Sequence, residues 1–271
     1  MIRKYFTSQG LTLSYLDNEQ VGRPILVCVH GHGGSATYFS KLMASLTDWH
    51  VYSLDRRGHG WSDHAGAGQY SPDNFVQELF TFIQHIGEQP VVLLGHSIGG
   101  IYTYFFAAKY PHLVRGMIIE DIGVDLSIGG AKLQTAPITD SAGTLQQLKE
   151  NLVELGFTNP GYIPTDFMLE NAVERENGWQ LRLDKNHLDE VGAKLAGIYW
   201  DEFLQSTCPT LLLHGRHSIL VNLEHIQEMA ARRPHTEYYV YEQSGHCILR
   251  DEPQLYIERV KSFLEERISI V

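Results

Sequence analysis

Five residues, Gly95-His96-Ser97-Ile98-Gly99, join an apolar run to an amphipathic one, and no other stretch of the chain restricts its fold so strongly. Pro90 opens the unbroken apolar run Val91 to Leu94, which suits a strand buried on both faces of a parallel sheet. From Ile98 the apolar residues recur at helical spacing through Ile101, Tyr102, Phe105 and Phe106, and the pattern stops before Pro111. A strand that turns abruptly into a helix forces its apex residue into a strained backbone geometry. Glycines two positions to either side remove the side chains that would collide there. Ser97 at the apex is then presented at the end of the sheet, with the Ile98 N–H pointing into the same space. A tight turn carrying a solvated serine would show the same letters. Ser97 becomes a candidate nucleophile if the chain also supplies a base, an acid and a second oxyanion donor.

Residues 2–8 and 11–17 read as two edge strands joined through Gln9-Gly10. Pro24 to His30 is a second doubly buried strand, and it runs into the glycine-rich turn His30-Gly31-His32-Gly33-Gly34 ahead of a helix at about 37–46. Such a turn aims backbone N–H groups at an anion, so the His32 N–H is a candidate second oxyanion donor. A phosphate loop is disfavoured because no G-K-[ST] or G-x-G-x-x-G follows, and two histidines without a third ligand make a poor metal site. Strand His50 to Leu54 leads into the polar loop Asp55-Arg56-Arg57-Gly58-His59-Gly60-Trp61-Ser62, whose charged residues read as loop organisers. A helix at 73–87 precedes the serine strand, and Val114 to Ile119 follows the serine helix as a further strand, ending in Glu120-Asp121.

The strand–helix rhythm then breaks. Residues 124–205 read as an inserted helical cap, with 1–123 and 206–271 as the core. Thr144-x-x-Gln147 resembles a capping box before the face Leu145, Leu148, Leu152 and Leu155. A second amphipathic stretch carries Leu188, Val191, Leu195 and Ile198 on one face, and most cap aromatics, such as Phe157 and Trp179, are expected in the cap's own core. The rhythm resumes with strand Pro209 to Gly215, a helix near 222–232 and a last strand, Glu237 to Tyr241, followed by Ser244-Gly245-His246. His246 falls at the same sheet edge as Ser97, which favours it as general base.

The formal net charge of −11, without a Lys/Arg cluster, argues against nucleic acid and anionic membrane as partners. No 18-residue apolar run or signal core is present, and the three scattered cysteines have no ligand spacing. A cytoplasmic protein, monomeric or a small homo-oligomer, is the expectation.

Together H-G-H-G-G, D-R-R-G-H-G-W-S, G-H-S-I-G and S-G-H resemble the α/β-hydrolase family, in family order over residues 24–266 apart from the cap. The resemblance implies an α/β fold with an eight-stranded, mostly parallel sheet, a Ser-His-acid triad, no cofactor, and ester- or amide-like substrates. One position departs from it. Most members carry an aspartate in G-x-x-D after strand seven, where this chain has Gly215-Arg216-His217-Ser218. A serine cannot supply the negative charge that stabilises an imidazolium. Asp121, at the end of the neighbouring strand, is the expected replacement, with Ser218 as an auxiliary hydrogen-bonding group. Glu120 is the alternative acid, disfavoured because it points to the other face of its strand. The same departure resembles small bacterial carboxylesterases of the YbfF type, as does the stretch Asn177-Gly178-Trp179-Gln180-Leu181.

The sequence therefore leads to a serine hydrolase acting on small carboxylic esters. Ser97 is the expected nucleophile, His246 the base, Asp121 the acid, and the N–H groups of His32 and Ile98 the oxyanion donors. A C–C bond hydrolase or lactonase with the same triad would call for an arginine in the cleft, Arg56 or Arg182. A catalytically silent small-molecule sensor of the same fold is the alternative from a different class.

Overall fold

The computed structural model describes residues 1–127, 141–154, 171–184, 190–191 and 194–268. The chain enters through an antiparallel hairpin of β1 (Ile2–Ser8) and β2 (Leu11–Asp17), turned by Gln9 and Gly10, both at positive φ. Two consecutive positive-φ residues make the tight turn whose twist matches that of paired strands. Then follow β3 (Ile25–Val29), α1 (Ser40–Ser45), β4 (His50–Leu54), α2 (Pro72–His85), β5 (Val91–His96), α3 (Ile98–Lys109) and β6 (Val114–Glu120). The inserted segment contributes β7 (Ser141–Ala142), α4 (Leu145–Glu154), β8 (Ala172–Arg175), β9 (Gly178–Leu181) and α5 (Trp200–Gln205). The chain closes with β10 (Thr210–Gly215), α6 (Leu223–Arg232), β11 (Thr236–Tyr241) and α7 (Pro253–Phe263).

Eight strands form one sheet in the order β1-β2-β4-β3-β5-β6-β10-β11. The β1–β2 and β2–β4 pairs are antiparallel and every later pair is parallel. In the central strands, successive side chains enter opposite layers, as the two-residue period of a strand requires. Val91 and Leu93 of β5 join the cluster formed with α2, α3, α5 and α6, whereas Val92 and Leu94 join the one formed with α1 and α7. This double burial explains why β3 and β5 read as continuous apolar runs.

The inserted segment holds a feature beyond helices. β7, β9 and β8 form a small antiparallel sheet, with Glu176 and Asn177 in the β8–β9 turn and Gly178 at φ 114°. The hairpin is fastened to the core at the C-terminal end of the large sheet. Gly60 N–H donates to Arg182 O (2.9 Å), Asp184 N–H to Gly58 O (2.8 Å), and Asn171 Nδ2 to Ser35 Oγ (2.7 Å). Thr144 caps α4 by accepting from Gln147 N–H (3.1 Å), and Leu148 is buried. Leu155, Leu188, Phe157 and the rest of 128–140, 155–170, 185–189 and 192–193 in the segment expected to cover Ser97 lie outside the described residues. Val191 and Leu195 are buried, as one face of a helix requires, but Ile198 is 59 % exposed. The reason is local: Ile198 lies past the helical turn, in an antiparallel bridge with Asp125 that turns its side chain outward. Among the described residues, no helix is long and apolar enough to cross a membrane.

Helix α5 packs directly on the core: Phe203 is fully buried and meets Tyr104 of α3 edge-on, with ring centroids 5.9 Å apart. Phe203→Ala is expected to cost about 3–5 kcal/mol of stability, whereas Ile198→Ala stays within about 0.5 kcal/mol. Urea denaturation of the two variants measures both values, and equal losses would contradict this packing.

Candidate active site

Ser97 occupies the sharp turn between β5 and α3 at φ 53°, ψ −129°. Its N–H donates to Glu120 O (2.8 Å), which continues the β5–β6 ladder through the apex. A side chain at Gly95 or Gly99 would overlap backbone atoms, of Gly99 in the first case and Val29 in the second. Only glycine lets the turn approach its neighbours so closely. Ile98 is the first residue of α3, so its N–H has no intrahelical acceptor and remains available to an anion.

Asp121, one residue past β6, is fully buried and also at positive φ (53°). His246 Nδ1 donates to its Oδ2 at 2.8 Å and Ser218 Oγ donates to the same oxygen at 2.5 Å. Oδ1 accepts from His214 Nδ1 and from Gly215 N–H, each at 3.1 Å. Burial alone would raise this carboxyl, but the bonds from His214, His246 and Ser218 hold it below the usual aspartate value. An ionised carboxylate only accepts, so His246 carries its proton on Nδ1 and keeps the Nε2 lone pair that a general base needs. The Ser97 hydroxyl makes no hydrogen bond among the described residues.

Glu120 is separated from this cluster by the alternation of the strand. Its carboxyl faces the other layer, where Oε1 accepts from Tyr38 OH (2.6 Å) and Leu249 N–H (3.2 Å) and Oε2 from Tyr256 OH (2.9 Å). Tyr38 stacks on His96 at 4.5 Å, and His96 Nε2 donates to the backbone oxygen of His246 (3.1 Å). Glu120 thus anchors the ring pair that holds the His246 backbone.

The turn Gly31–Gly34 lies against Ser97: a Cβ placed on Gly31 would stand 3.0 Å from Ser97 Cβ. His30 Nε2 accepts from Arg56 N–H (3.3 Å), so Nδ1 holds the proton and donates to Gly31 O (2.7 Å). By the same logic His59 Nε2 accepts from Gly33 N–H (3.3 Å) and Nδ1 donates to Arg57 O (2.9 Å). Burial, followed by the Arg56 charge, pushes both imidazoles well below their ordinary value, and lowers His32 to about 4. Asp55 organises its own loop, accepting from Ala36 N–H (2.7 Å), Trp61 N–H (3.1 Å), Ser14 and Arg3. Arg182 lies over Trp61 at 3.6 Å and donates to Gly60 O (3.0 Å). Among the described residues, no three His, Cys, Asp or Glu side chains gather as metal ligands.

The structure therefore brings Asp121, His246 and Ser218 into one hydrogen-bonded cluster and sets Ser97 and Ile98 on the adjoining strand end. Sequence reading missed His214, a second imidazole on Asp121, and the Tyr38–His96 stack. Position 96 within G-H-S-I-G was the one visible hint of the latter.

Residues 24–253 match a family described as the alpha/beta hydrolase fold. The chain is 29 % identical over 270 residues to the sn-1-specific diacylglycerol lipase ABHD11 of Mus musculus, covering 94 % of this chain and 85 % of that protein. It is 23 % identical over 255 residues to the 2-(acetamidomethylene)succinate hydrolase of Mesorhizobium japonicum, covering 91 % and 90 %. The crystal structure of E-2-(acetamidomethylene)succinate hydrolase superposes with a TM-score of 0.85 at 20 % identity, covering 97 % of this chain and 99 % of that one. An alpha/beta hydrolase from Novosphingobium aromaticivorans superposes at 0.83 with 25 % identity, covering 97 % and 98 %.

The site carries a pH signature. Burial pushes the Glu120 carboxyl up to about 8, against an ordinary 4.5, so the folded chain keeps a proton there that the unfolded chain releases. Stability linked to that proton is complete below pH 4.5 and lost as pH rises through about 8. The buried imidazoles of His30, His59 and His96 act in the other direction, losing stability as pH falls below 6.5. At pH 7 about a quarter of each is still charged in the unfolded chain, and by pH 8 they are neutral in both states. From pH 7 to 8 the Glu120 proton is expected to lower the unfolding free energy by about 1 kcal/mol, since about half of it is lost by pH 8, and Glu120→Gln to remove that contribution. Urea titrations across this interval measure it; an undiminished slope in the variant would place its origin elsewhere.

Proposed function

Because this chain belongs to the α/β-hydrolase fold family, we propose that it is a serine hydrolase cleaving small carboxylic esters through an acyl-enzyme. The observation that carries the reading is the 2.8 Å bond from His246 Nδ1 to Asp121 Oδ2, made beside Ser97 at the same sheet end. His246 Nε2 takes the Ser97 proton as Oγ attacks the carbonyl carbon. The carbonyl oxygen becomes negative and is held by the N–H groups of His32 and Ile98, each worth about 10²–10³ in rate. His246 then returns the proton to the leaving alcohol, and water, deprotonated by the same imidazole, releases the acid. Asp121 keeps the imidazole in the required tautomer and balances its charge; Ser218 braces the carboxylate. The reading needs no cofactor, and its setting is a cytoplasmic protein acting on a small molecule.

A lactonase or C–C bond hydrolase using the same side chains is the second reading. Similarity to a protein named 2-(acetamidomethylene)succinate hydrolase favours it. A panel of p-nitrophenyl esters, lactones, thioesters and β-diketones distinguishes the two, and absence of labelling by a fluorophosphonate would instead leave a silent binding protein.

Ser97→Ala is expected to abolish both ester turnover and fluorophosphonate labelling while leaving the fold intact. Asp121→Asn should lower kcat by about 10⁴, the cost of leaving the imidazole in the wrong tautomer. Ser218→Ala removes a neutral donor worth about 1 kcal/mol, so its loss stays within about tenfold. Near-normal turnover in Asp121→Asn, measured by stopped-flow release of p-nitrophenolate, would overturn the assignment of the acid.

A further inference from the structure

The adjacent arginines of Asp55-Arg56-Arg57 have different surroundings. Arg57 is saturated: Nε pairs with Glu78, Nη1 donates to Gln69 O (2.6 Å) and Nη2 to Gln9 Oε1. Arg56 is equally buried yet forms no salt bridge among the described residues. Its guanidinium lies over the rings of Phe75 (5.0 Å) and Tyr102 (5.3 Å), and its Nε and Nη1 have no hydrogen-bond partner. Among the described residues the guanidinium donates from Nη2 to Gly31 O at 3.0 Å, while the Tyr102 hydroxyl and the Glu78 charge act on it from the side. A buried charge that no carboxylate pairs directly is costly to keep, which directs attention to what the bond to Gly31 O holds.

Gly31 O and the His32 N–H belong to the same trans peptide unit and point in opposite directions. Whatever fixes the carbonyl fixes the N–H. Three donors meet at Gly31 O: Arg56 Nη2 at 3.0 Å, His30 Nδ1 at 2.7 Å and Gly34 N–H at 3.2 Å. Arg56 is the charged member of this set, and a charge-assisted bond is about twice as strong as a neutral one. The Gly31 backbone itself lies against Ser97. We propose that Arg56 is a positioning residue for the oxyanion site: its buried guanidinium pins and polarises the Gly31–His32 peptide, so that the His32 N–H is aimed and strengthened as a donor to the oxygen that becomes negative during acyl transfer. The inference rests on the serine-hydrolase reading. It gives a use for a buried cation that no carboxylate pairs directly, because a fixed dipole already oriented before reaction needs no reorganisation when charge develops.

A residue that merely fastened two loops would change the melting temperature and leave transition-state selectivity alone. The test therefore compares kcat and KM on a p-nitrophenyl ester with the affinity for an arylboronic acid, which forms a tetrahedral anion on a reactive serine. Arg56→Met keeps most of the volume and removes the charge. It is expected to lower kcat about 10–100-fold with KM changed less than about threefold, and to weaken boronate binding by the same factor as kcat. Arg56→Lys restores the charge and recovers part of both. Should Arg56→Met fail to fold, Arg56→Lys against Arg56→Gln makes the same comparison of charge with none. A folded, uncharged variant that binds the boronate as tightly as the parent protein overturns the inference while leaving the hydrolase reading in place. A parent protein that neither turns over esters nor labels with a fluorophosphonate overturns both.

Discussion

Four donors converge on one buried carboxylate, and the sheet end that presents Ser97 depends on their agreement. Asp121 receives His246 from the loop after β11, His214 and Gly215 from β10, and Ser218 from the loop after β10. Its own N–H donates to Leu213 O at 2.8 Å. An ion taken out of water is tolerated only when its lone pairs are met, and each missing donor leaves a penalty larger than the bond it would have made. The carboxylate thereby locks β6, β10 and the last loop into one arrangement. Its left-handed backbone is the local strain by which the side chain leaves the strand in this direction.

A second layer of support stands behind the histidine. Glu120 and Asp121 are neighbours in sequence, yet alternation sends their carboxyls to opposite layers with opposite electrostatic outcomes. Asp121 meets imidazole donors and stays ionised, whereas Glu120 meets phenols and one N–H and holds a proton at neutral pH. Through Tyr38 and His96 the Glu120 side reaches the His246 backbone from behind. The two carboxyls thus act on the same histidine, one through its ring and one through its main chain.

How much of this could be read from the letters follows from the range of the interactions involved. The β5–Ser97–α3 unit was legible because its whole cause is local: an apolar run, two glycines and a helical period. The positions of His246 and Asp121 were legible because Asp121 directly follows one strand and His246 lies in the loop after another, where a parallel sheet brings its loops together. The β8–β9 hairpin was not, since its strands are short and half exposed and alternate weakly; Asn177-Gly178 was the only strong turn signal there. His214 sits inside an apolar strand, between Leu213 and Gly215, and nothing short of the β6–β10 pairing reveals what it faces. Ile198 continued a helical spacing that the chain had already left. Arg56 and Arg57 are the same letter twice, and their separate fates depend on Glu78 and Gly31, distant in sequence.

The ladder between β5 and β6 pairs His96 with Glu120 and continues through the bond from Ser97 N–H to Glu120 O. Ser97 and Asp121 therefore ride on two adjacent rails spaced by about 4.8 Å, the pitch of any sheet. Had the carboxylate come from the loop after β10, its distance from Ser97 would have been set by the path of that loop. Here the hydrogen-bonded ladder sets that distance. The segment from Arg216 to Val221 contributes a hydroxyl in place of the charge, so its path bears on the brace around Asp121 and not on the spacing of the two rails.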